Sequence, residues 1–219
     1  MANSRASVLA ALVFLPATLL ASPQQKPDHM ERHFDNAAQW AKEFDDPARD
    51  AWQMPARVIE ALGLKPGQAV ADIGAGTGYF SSRLAHAAAA PTVYAVDIEP
   101  SMIEYLNARA AKEGLKNLTP VLAGADSPNL PAPVDTILIV DTYHHIPNRV
   151  AYFTKLKGSL KPGGTLAIVD FRKDAPSGPP AEFRFTPDQI SAELEQAGFS
   201  LTTQHGFLPR QMFLLYRVK

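Results

Sequence analysis

An aspartate and three closely spaced glycines have the arrangement of a ligand-binding turn. Asp72 precedes the pattern Gly74-x-Gly76-x-Gly78 by two residues. A dinucleotide-binding turn has its third glycine one position later, where this chain has Tyr79, and the Gly-Lys-Ser/Thr ending of a P-loop is also missing. A carboxylate about 4 Å from a phosphate costs on the order of 4 kcal/mol at an effective dielectric constant of 20. The turn therefore predicts a ligand with a cationic group and no phosphate.

Further acids follow the next three apolar runs. Asp97 ends the run "TVYAVD", where a carboxylate can accept both hydroxyls of a ribose, although NAD enzymes share this feature. Asp126 lies in "AGADSPNLP", and Asp141 ends "VDTILIVD". Because the carboxyl ends of parallel strands meet at one edge of a sheet, we expect these acids to surround one ligand.

Together these segments resemble class I S-adenosylmethionine-dependent methyltransferases. The stretch "DIGAGTG" matches the acid-x-G-x-G-x-G pattern of motif I, and "AGADSPNLP" is similar to the family's G-D-x-x-x-L-P segment with one extra alanine. "VDTYHHIPNR" is similar to the loop of many small-molecule methyltransferases, and it is not the N-P-P-Y or D-P-P-Y motif of base methylases. The resemblance covers roughly residues 55 to 219. It implies S-adenosyl-L-methionine as cofactor and an unidentified, small-molecule methyl acceptor, with a protein side chain as the less favoured alternative.

The resemblance also assigns residues to the cofactor. It implies an interaction of Asp72 with the methionine end of the cofactor, of Asp97 with the ribose, of Ile98 and Met102 with the faces of the adenine, and of Asp126 with its amino group. Capping of a loop or helix is the alternative for Asp126. The full predicted set is Asp72, Gly74, Ala75, Gly76, Gly78, Asp97, Ile98, Met102, Ala125, Asp126, Asp141 and Thr142.

Candidates for chemistry on the acceptor follow the fourth apolar run. His145 and Asp141 are the predicted proton acceptors, with a structural or substrate-shaping role as the alternative for His145. Trp52 is predicted to stack on the substrate or, alternatively, to anchor its helix in the core. The predicted substrate residues are Trp52, Tyr143, His144 and Arg172. No metal site is expected, because adjacent histidines on an extended segment point to opposite faces.

The elements that must position these residues alternate between strand and helix. Two helices, at about 31–44 and 48–62, precede the first strand. The order βαβα predicts an α/β, doubly wound, Rossmann-like and mostly parallel seven-stranded sheet with a C-terminal antiparallel hairpin. The predicted strands are 69–74, 92–98, 118–126, 134–141, 165–171, 200–205 and 212–218, and the predicted helices between them are 78–89, 100–115, 149–164 and 186–198. The insert "KDAPSGPPAEF" is a mobile substrate loop or a plain surface loop.

Composition narrows the class of protein. The chain has 219 residues, a net charge of −1 and no cysteine. The charge argues against a broad nucleic-acid surface, and the missing cysteines exclude disulfides and thiol nucleophiles. Arg5, the apolar run from Val8 to Leu20 and the small residues Ala21 and Ser22 predict a signal peptide, and therefore export to the periplasm. An uncleaved anchor or a misplaced start codon are the alternatives, and no membrane span is expected after removal of the signal.

The predicted organisation is a signal peptide at 1–22, a linker with lid-like helices at 23–54, and the methyltransferase domain at 55–219. A catalytically inactive S-adenosylmethionine- or nucleoside-binding module of the cell envelope is the alternative function, because the cofactor is made in the cytoplasm. An NAD(P) oxidoreductase is disfavoured by Asp72, by Tyr79 and by the hairpin. The sequence predicts no oligomeric state.

Overall fold

The computed structural model describes Met1 and residues 29–219, so the predicted signal peptide lies outside the described residues apart from Met1. The described part forms a seven-stranded sheet with the order β3-β2-β1-β4-β5-β7-β6. The strands are β1 (Ala69–Ile73), β2 (Thr92–Asp97), β3 (Leu118–Leu122), β4 (Val134–Val140), β5 (Leu160–Phe171), β6 (Phe199–His205) and β7 (Gln211–Val218). Strands β1 to β5 are parallel, and β7 runs antiparallel between β5 and β6. The predicted fold class is confirmed.

Helices cover both faces of the sheet, which explains why the central strands are apolar on both faces. The α-helices are α1 (Ala37–Phe44), α2 (Asp50–Gln53), α3 (Pro55–Ala61), α4 (Tyr79–Ala85), α5 (Pro100–Glu113), α6 (Arg149–Leu156) and α7 (Pro187–Gln196). Helices α3, α4 and α5 pack on one face, and α6 and α7 pack on the other. None of the helices within residues 29–219 is long and apolar enough to cross a membrane.

Three predicted helices were wrong in their extent. The first begins only at Ala37, because the Asn36 side chain accepts the N–H of Gln39 and caps the helix there. The second is divided at Met54, which has φ +46°, because proline at position 55 disfavours the helical conformation of the preceding residue.

The predicted helix 149–164 ends at Leu156. A 3₁₀ turn follows at Lys157–Ser159, and the chain enters β5 at Leu160, which pairs with Val134 of β4. The apparent helix-closing sequence Pro162–Gly163–Gly164 therefore lies inside an irregular strand. The strand ladder overrides the local helix-ending signal here.

The strand order reverses between β1 and β4, since β1 leads away to β2 and β4 leads away to β5. Loops that leave the carboxyl ends of two such strands diverge and open a crevice. The predicted site residues follow β1, β2 and β4, so the fold brings their loops to this crevice.

Candidate functional site

The glycine turn packs directly against the loop that follows β4. The φ values of the three glycines are positive, a conformation that residues with a side chain rarely adopt: +76° for Gly74, +55° for Gly76 and +90° for Gly78. A Cβ on Gly74 would lie 2.2 Å from Thr142 Oγ1, and one on Gly76 would lie 3.2 Å from the ring of Phe44. The turn therefore requires glycine for backbone conformation and for close approach, and it brings Thr142 next to Gly74 as the prediction requires.

Asp72 lies beneath this turn. Its side chain is buried, with 2% exposed, and it accepts a hydrogen bond from Ser81 Oγ at 2.6 Å. Burial raises the pKa of Asp72 to about 6, and the nearby Asp97 adds to the shift. The carboxylate thus offers almost no surface for direct contact, and its interaction with the methionine end of a cofactor stays a prediction.

Asp97 and its neighbours form a surface suited to a nucleoside. Asp97 Oδ2 accepts the Gly76 N–H at 2.8 Å, and its Oδ1 accepts the Glu99 N–H at 3.0 Å. Each carboxylate oxygen has a second lone pair, so both can also accept from a diol. Ile98 is 55% exposed and Leu122, which pairs with Asp97 in register, is 47% exposed. An acid beside two exposed apolar side chains fits a ribose and a flat base.

The remaining predicted adenine residues are placed differently. Met102 is buried in α5 and presents almost no surface. The side chain of Asp126 is 72% exposed and bound to Lys155 of α6, which lowers its pKa. Ala125 is exposed beside it. The structure thus does not bring Asp126 against Asp97, and its contact with the adenine stays a prediction. Leu122 was missed by the sequence analysis, where only its position at the end of β3 could have indicated it.

A second group of polar side chains surrounds Asp141. Gln53 Nε2 donates to Asp141 Oδ2 at 2.8 Å, Gln211 Nε2 donates to Oδ1 at 2.5 Å, and Arg49 Nη2 lies 3.9 Å from Oδ2. The side chain of Asp141 is 22% exposed, and its backbone has φ +52°. Burial, together with the charge of Asp170, raises the pKa of Asp141 to about 6. Two side-chain amides therefore hold one partly accessible carboxylate, and the backbone of the residue that carries it is strained.

His144 and Asp170 form a buried ion pair next to Asp141. His144 Nδ1 lies 3.0 Å from both carboxylate oxygens of Asp170, and Asp170 also accepts the N–H of Phe171 at 2.7 Å. Burial disfavours the charged imidazole, but the charges of Asp170 and Asp141 outweigh it and raise the pKa of His144. His144 is thus held away from solvent, and its predicted contact with a substrate stays a prediction.

His145 is held by the N-terminal segment of the described chain. Its Nδ1 lies 2.6 Å from the backbone oxygen of Met30, so this nitrogen carries the proton, since a carbonyl can only accept. Burial and the nearby His144 lower the pKa of His145 to about 4. His145 is therefore neutral near pH 7 and a weaker base than Asp141.

Of the other predicted substrate residues, Tyr143 is buried, whereas Trp52 and Arg172 are partly exposed. Tyr143 is fully buried and donates its hydroxyl to Glu193 of α7. The Trp52 ring lies 5.6 Å from the ring of Phe171 and is partly exposed. Arg172 is bound to Asp174 in the loop that follows β5. Stacking of Trp52 on a substrate therefore stays a prediction, whereas Tyr143 supports α7 from inside.

The segment from Met30 to Phe44 crosses the crevice. The Met30 N–H donates to the backbone oxygen of His144 after β4, and the Phe34 N–H donates to Glu99 Oε1 after β2. After the second anchor, α1 leads to Phe44, whose ring lies against Gly76 of the glycine turn. The segment therefore contacts the loops after β2 and β4 and the glycine turn, and its role as a lid stays a prediction.

The candidate site consists of two regions. The glycine-turn region comprises residues 72–78 with Asp97, Ile98 and Leu122. The Asp141 region comprises Gln53, Asp141, His144, Asp170 and Gln211. The sequence analysis missed three members of the second region, Gln53, Asp170 and Gln211, which belong to no motif.

Comparison with known proteins places the chain among methyltransferases. Residues 64–204 match the model of the family described as a methyltransferase domain. The chain is similar to an uncharacterised methyltransferase of Mycobacterium bovis (35% identity over 104 residues, 48% of this chain and 51% of that protein) and to the demethylmenaquinone methyltransferase of Tropheryma whipplei (33% over 110 residues, 50% and 44%). The matches thus span about half the length of these curated relatives.

A solved structure covers more of the chain. The SAM-dependent methyltransferase of Aquifex aeolicus superposes with a TM-score of 0.76 and 28% identity, and the match covers 84% of this chain and 99% of that one.

Proposed function

The chain belongs to the methyltransferase-domain family of S-adenosylmethionine-dependent proteins, and on this premise we propose that it methylates a small molecule, with Asp141 as the proton acceptor. The observation that carries the proposal is the position of the Asp141 carboxylate. It is partly accessible, and the next residue, Thr142, touches Gly74 of the glycine turn. A base at this position lies next to the expected cofactor site.

The residues that fit the cofactor have separate tasks. Asp97 would hold the ribose hydroxyls, Ile98 would pack on the adenine, and the glycine turn would allow close approach of the backbone. When bound, S-adenosylmethionine would supply a methyl group that its sulfonium activates for displacement by a lone pair of the acceptor. The protein must then position the acceptor, exclude water and remove a proton where the acceptor has one.

Asp141 suits proton removal near neutral pH better than His145 does. Its pKa of about 6 leaves it ionised at pH 7 and still basic, whereas the pKa of His145, at about 4, makes a weaker base. Because the ionised form of Asp141 is the active one, we expect turnover to rise as the pH increases through about 6. Asp141→Asn should lower turnover about 100-fold and abolish the rise of turnover with pH. Cofactor affinity should change by less than about threefold.

A small molecule is the favoured class of acceptor for two reasons. The net charge of −1 is unsuited to a nucleic acid, and the loop after β4 lacks the motif of base methylases. The relative from T. whipplei is named for demethylmenaquinone, which is also a small molecule.

The test is incubation of the purified chain with methyl-labelled S-adenosylmethionine and a metabolite extract, followed by a search for labelled masses. Calorimetry with S-adenosylhomocysteine is done first, because absence of binding would contradict the proposal directly. Binding without any labelled product, in extracts of the native host, would favour the inactive binding module instead.

We also propose that residues 1–22 direct export. Support comes from the order of Arg5, the apolar run and the small residues at 21 and 22. The mass of the chain recovered from the periplasm tests this: cleavage after about residue 22 is expected, and recovery only of the full-length chain from the cytoplasm contradicts it.

A further inference from the structure

We propose that the Asp141 region binds an amine group of the methyl acceptor, between the Asp141 carboxylate and the amide oxygen of Gln211. This inference rests on the proposed function and narrows it to a class of substrate. It assigns to Gln211 a binding role that no sequence motif indicates.

The first observation is the orientation of the Gln211 amide. Its Nε2 donates to Asp141 Oδ1 at 2.5 Å, and the reverse orientation would place two acceptors against each other. The amide oxygen, Oε1, therefore faces away from Asp141. Gln211 is only 2% exposed, and within the described residues its Oε1 has no hydrogen-bond partner. A buried carbonyl oxygen without a donor is costly, so a ligand that brings an N–H or O–H would be stabilised here.

The second observation is the surplus of acceptor groups around this oxygen. The donors near Asp141 are shared with other acceptors: Arg49 Nε donates to Gln53 Oε1 while its Nη2 lies 3.9 Å from Asp141 Oδ2, and His144 Nδ1 pairs with Asp170. Asp141 has two further lone pairs, and the charge of Asp170 reaches it, as the raised pKa of Asp141 shows. A carboxylate ligand brings no donor to these acceptors, and a hydroxyl can donate only one hydrogen bond. An amine can donate two or more, one to each acceptor.

The third observation is the aromatic surface beside the amide. Phe171 pairs with Gln211 in register across β5 and β7, so the two side chains lie on the same face of the sheet. The Trp52 ring lies 5.6 Å from the Phe171 ring. Aromatic faces attract organic cations, so the rings favour an amine attached to an apolar body. The guanidinium carbon of Arg210 lies 5.2 Å from the centroid of the Trp52 ring. Its positive charge would favour a carboxylate ligand instead of an amine.

The experiment compares three probes of one shape on the full chain saturated with S-adenosylhomocysteine. 2-Phenylethylamine, 2-phenylethanol and phenylacetate differ chiefly in the polar group, and calorimetry gives their affinities. We expect the amine to bind at least about tenfold more tightly than either other probe. Equal affinities, a preference for phenylacetate, or no binding of the amine at millimolar concentration overturns the inference. These outcomes leave the proposed methyl transfer standing, provided that S-adenosylhomocysteine binds.

S-adenosylhomocysteine also carries an amino group. Variants therefore show whether the Gln211 amide binds the amine of the probe or that of the cofactor product. Gln211→Leu should weaken the amine probe about tenfold and leave the affinity for S-adenosylhomocysteine within about threefold. Gln204→Leu, on the exposed face of β6, is the matched control and should change neither affinity. If Gln211→Leu instead weakens S-adenosylhomocysteine and spares the probe, the amide serves the cofactor and the inference is wrong. The probe selectivity of the unchanged protein decides the matter even if the variant fails to fold.

Discussion

The glycine-turn region and the Asp141 region lie side by side but are built from different kinds of groups. In the glycine-turn region, backbone N–H groups donate hydrogen bonds to the Asp97 carboxylate, as Gly76 does from 21 residues away. In the Asp141 region side-chain amides meet an acid across larger separations, 88 residues for Gln53 and 70 for Gln211. The first region thus depends on the path of the backbone and the second on side chains from distant segments.

This difference corresponds to two kinds of task. Every enzyme of the family must hold the same cofactor, so a site made of backbone groups and a few fixed side chains is sufficient. Acceptors differ between enzymes, and side chains from α2, β4 and β7 can be exchanged without changing the glycine turn. We therefore expect changes in the glycine-turn region to affect cofactor binding and changes in the Asp141 region to affect the acceptor.

The largest expected effect is that of Gly74→Ala. The new Cβ would lie 2.2 Å from Thr142 Oγ1, and alanine disfavours the φ of +76°. We expect a loss of roughly 3 kcal/mol in the free energy of unfolding, and cofactor binding weakened more than about tenfold. Urea unfolding and calorimetry measure the two quantities.

Gly67→Ala is the matched control for this change. Gly67 also has a positive φ, +82°, but a Cβ there meets no atom within 4 Å. It should cost only about 1 kcal/mol and leave cofactor affinity unchanged. Equal losses from the two substitutions would show that backbone conformation, and not contact with the loop after β4, determines the need for glycine.

The next effect is that of Asp97→Asn. The amide has only one acceptor oxygen, so bonds to Gly76 N–H, Glu99 N–H and a ribose diol cannot all be kept. Hydrogen bonds to a charged group contribute about 1.5–3 kcal/mol, so the affinity for S-adenosylhomocysteine should fall by between about 10- and 100-fold.

Asp135→Asn provides the comparison. Asp135 accepts the N–H of Ala69 and binds Lys161 at the opposite edge of the sheet. This substitution should leave cofactor affinity unchanged, which calorimetry can check beside Asp97→Asn. A similar fall in both variants would mean that general destabilisation, and not the position of Asp97, lowers the affinity.

The sequence predicted the glycine-turn region much better than the Asp141 region, for a physical reason. Gly74 and Asp97 lie where apolar strands end, and alternation of strands and helices suffices to place them. Gln53 and Gln211 become partners of Asp141 only through tertiary packing, which no local pattern encodes. The predicted helix 48–62 is divided before Pro55, so that α2 ends at Gln53. The position of Gln53 at a helix end was therefore also not predicted.

A smaller effect is expected for Gln53→Leu. The bond from Gln53 favours the ionised form of Asp141, so its loss should raise the pKa of Asp141 further. The folded-state pKa already exceeds the unfolded value, so ionisation of Asp141 destabilises the fold as the pH rises through this range. The variant should therefore lose about 2 kcal/mol at about pH 7.5 and less at about pH 4.5, where Asp141 is protonated.

Cofactor affinity separates this result from damage to the glycine-turn region. Gln53→Leu should leave it within about threefold, and a larger fall would contradict the independence of the two regions. Gln39→Leu, on the exposed side of α1, is the control and should change neither the stability profile nor the affinity. Urea unfolding at the two pH values and calorimetry provide the readouts.

The smallest expected effect is that of Asp126→Asn, which tests the predicted contact with the adenine amino group. Because the carboxylate is exposed and bound to Lys155, we expect cofactor affinity to fall no more than about fivefold. S-inosylhomocysteine, which lacks the amino group, completes a double-mutant cycle. If Asp126 accepts from that group, the unchanged protein should prefer the adenosyl compound, and the variant should show a smaller preference, because its amide is a weaker acceptor and can also donate to the carbonyl of the inosyl compound. An undiminished preference in the variant would show that a group other than Asp126 recognises the amino group. Equal binding of the two ligands by the unchanged protein would leave the base to Ile98 and Leu122, so that the glycine-turn region would recognise the shape of the adenine and not its hydrogen bonds.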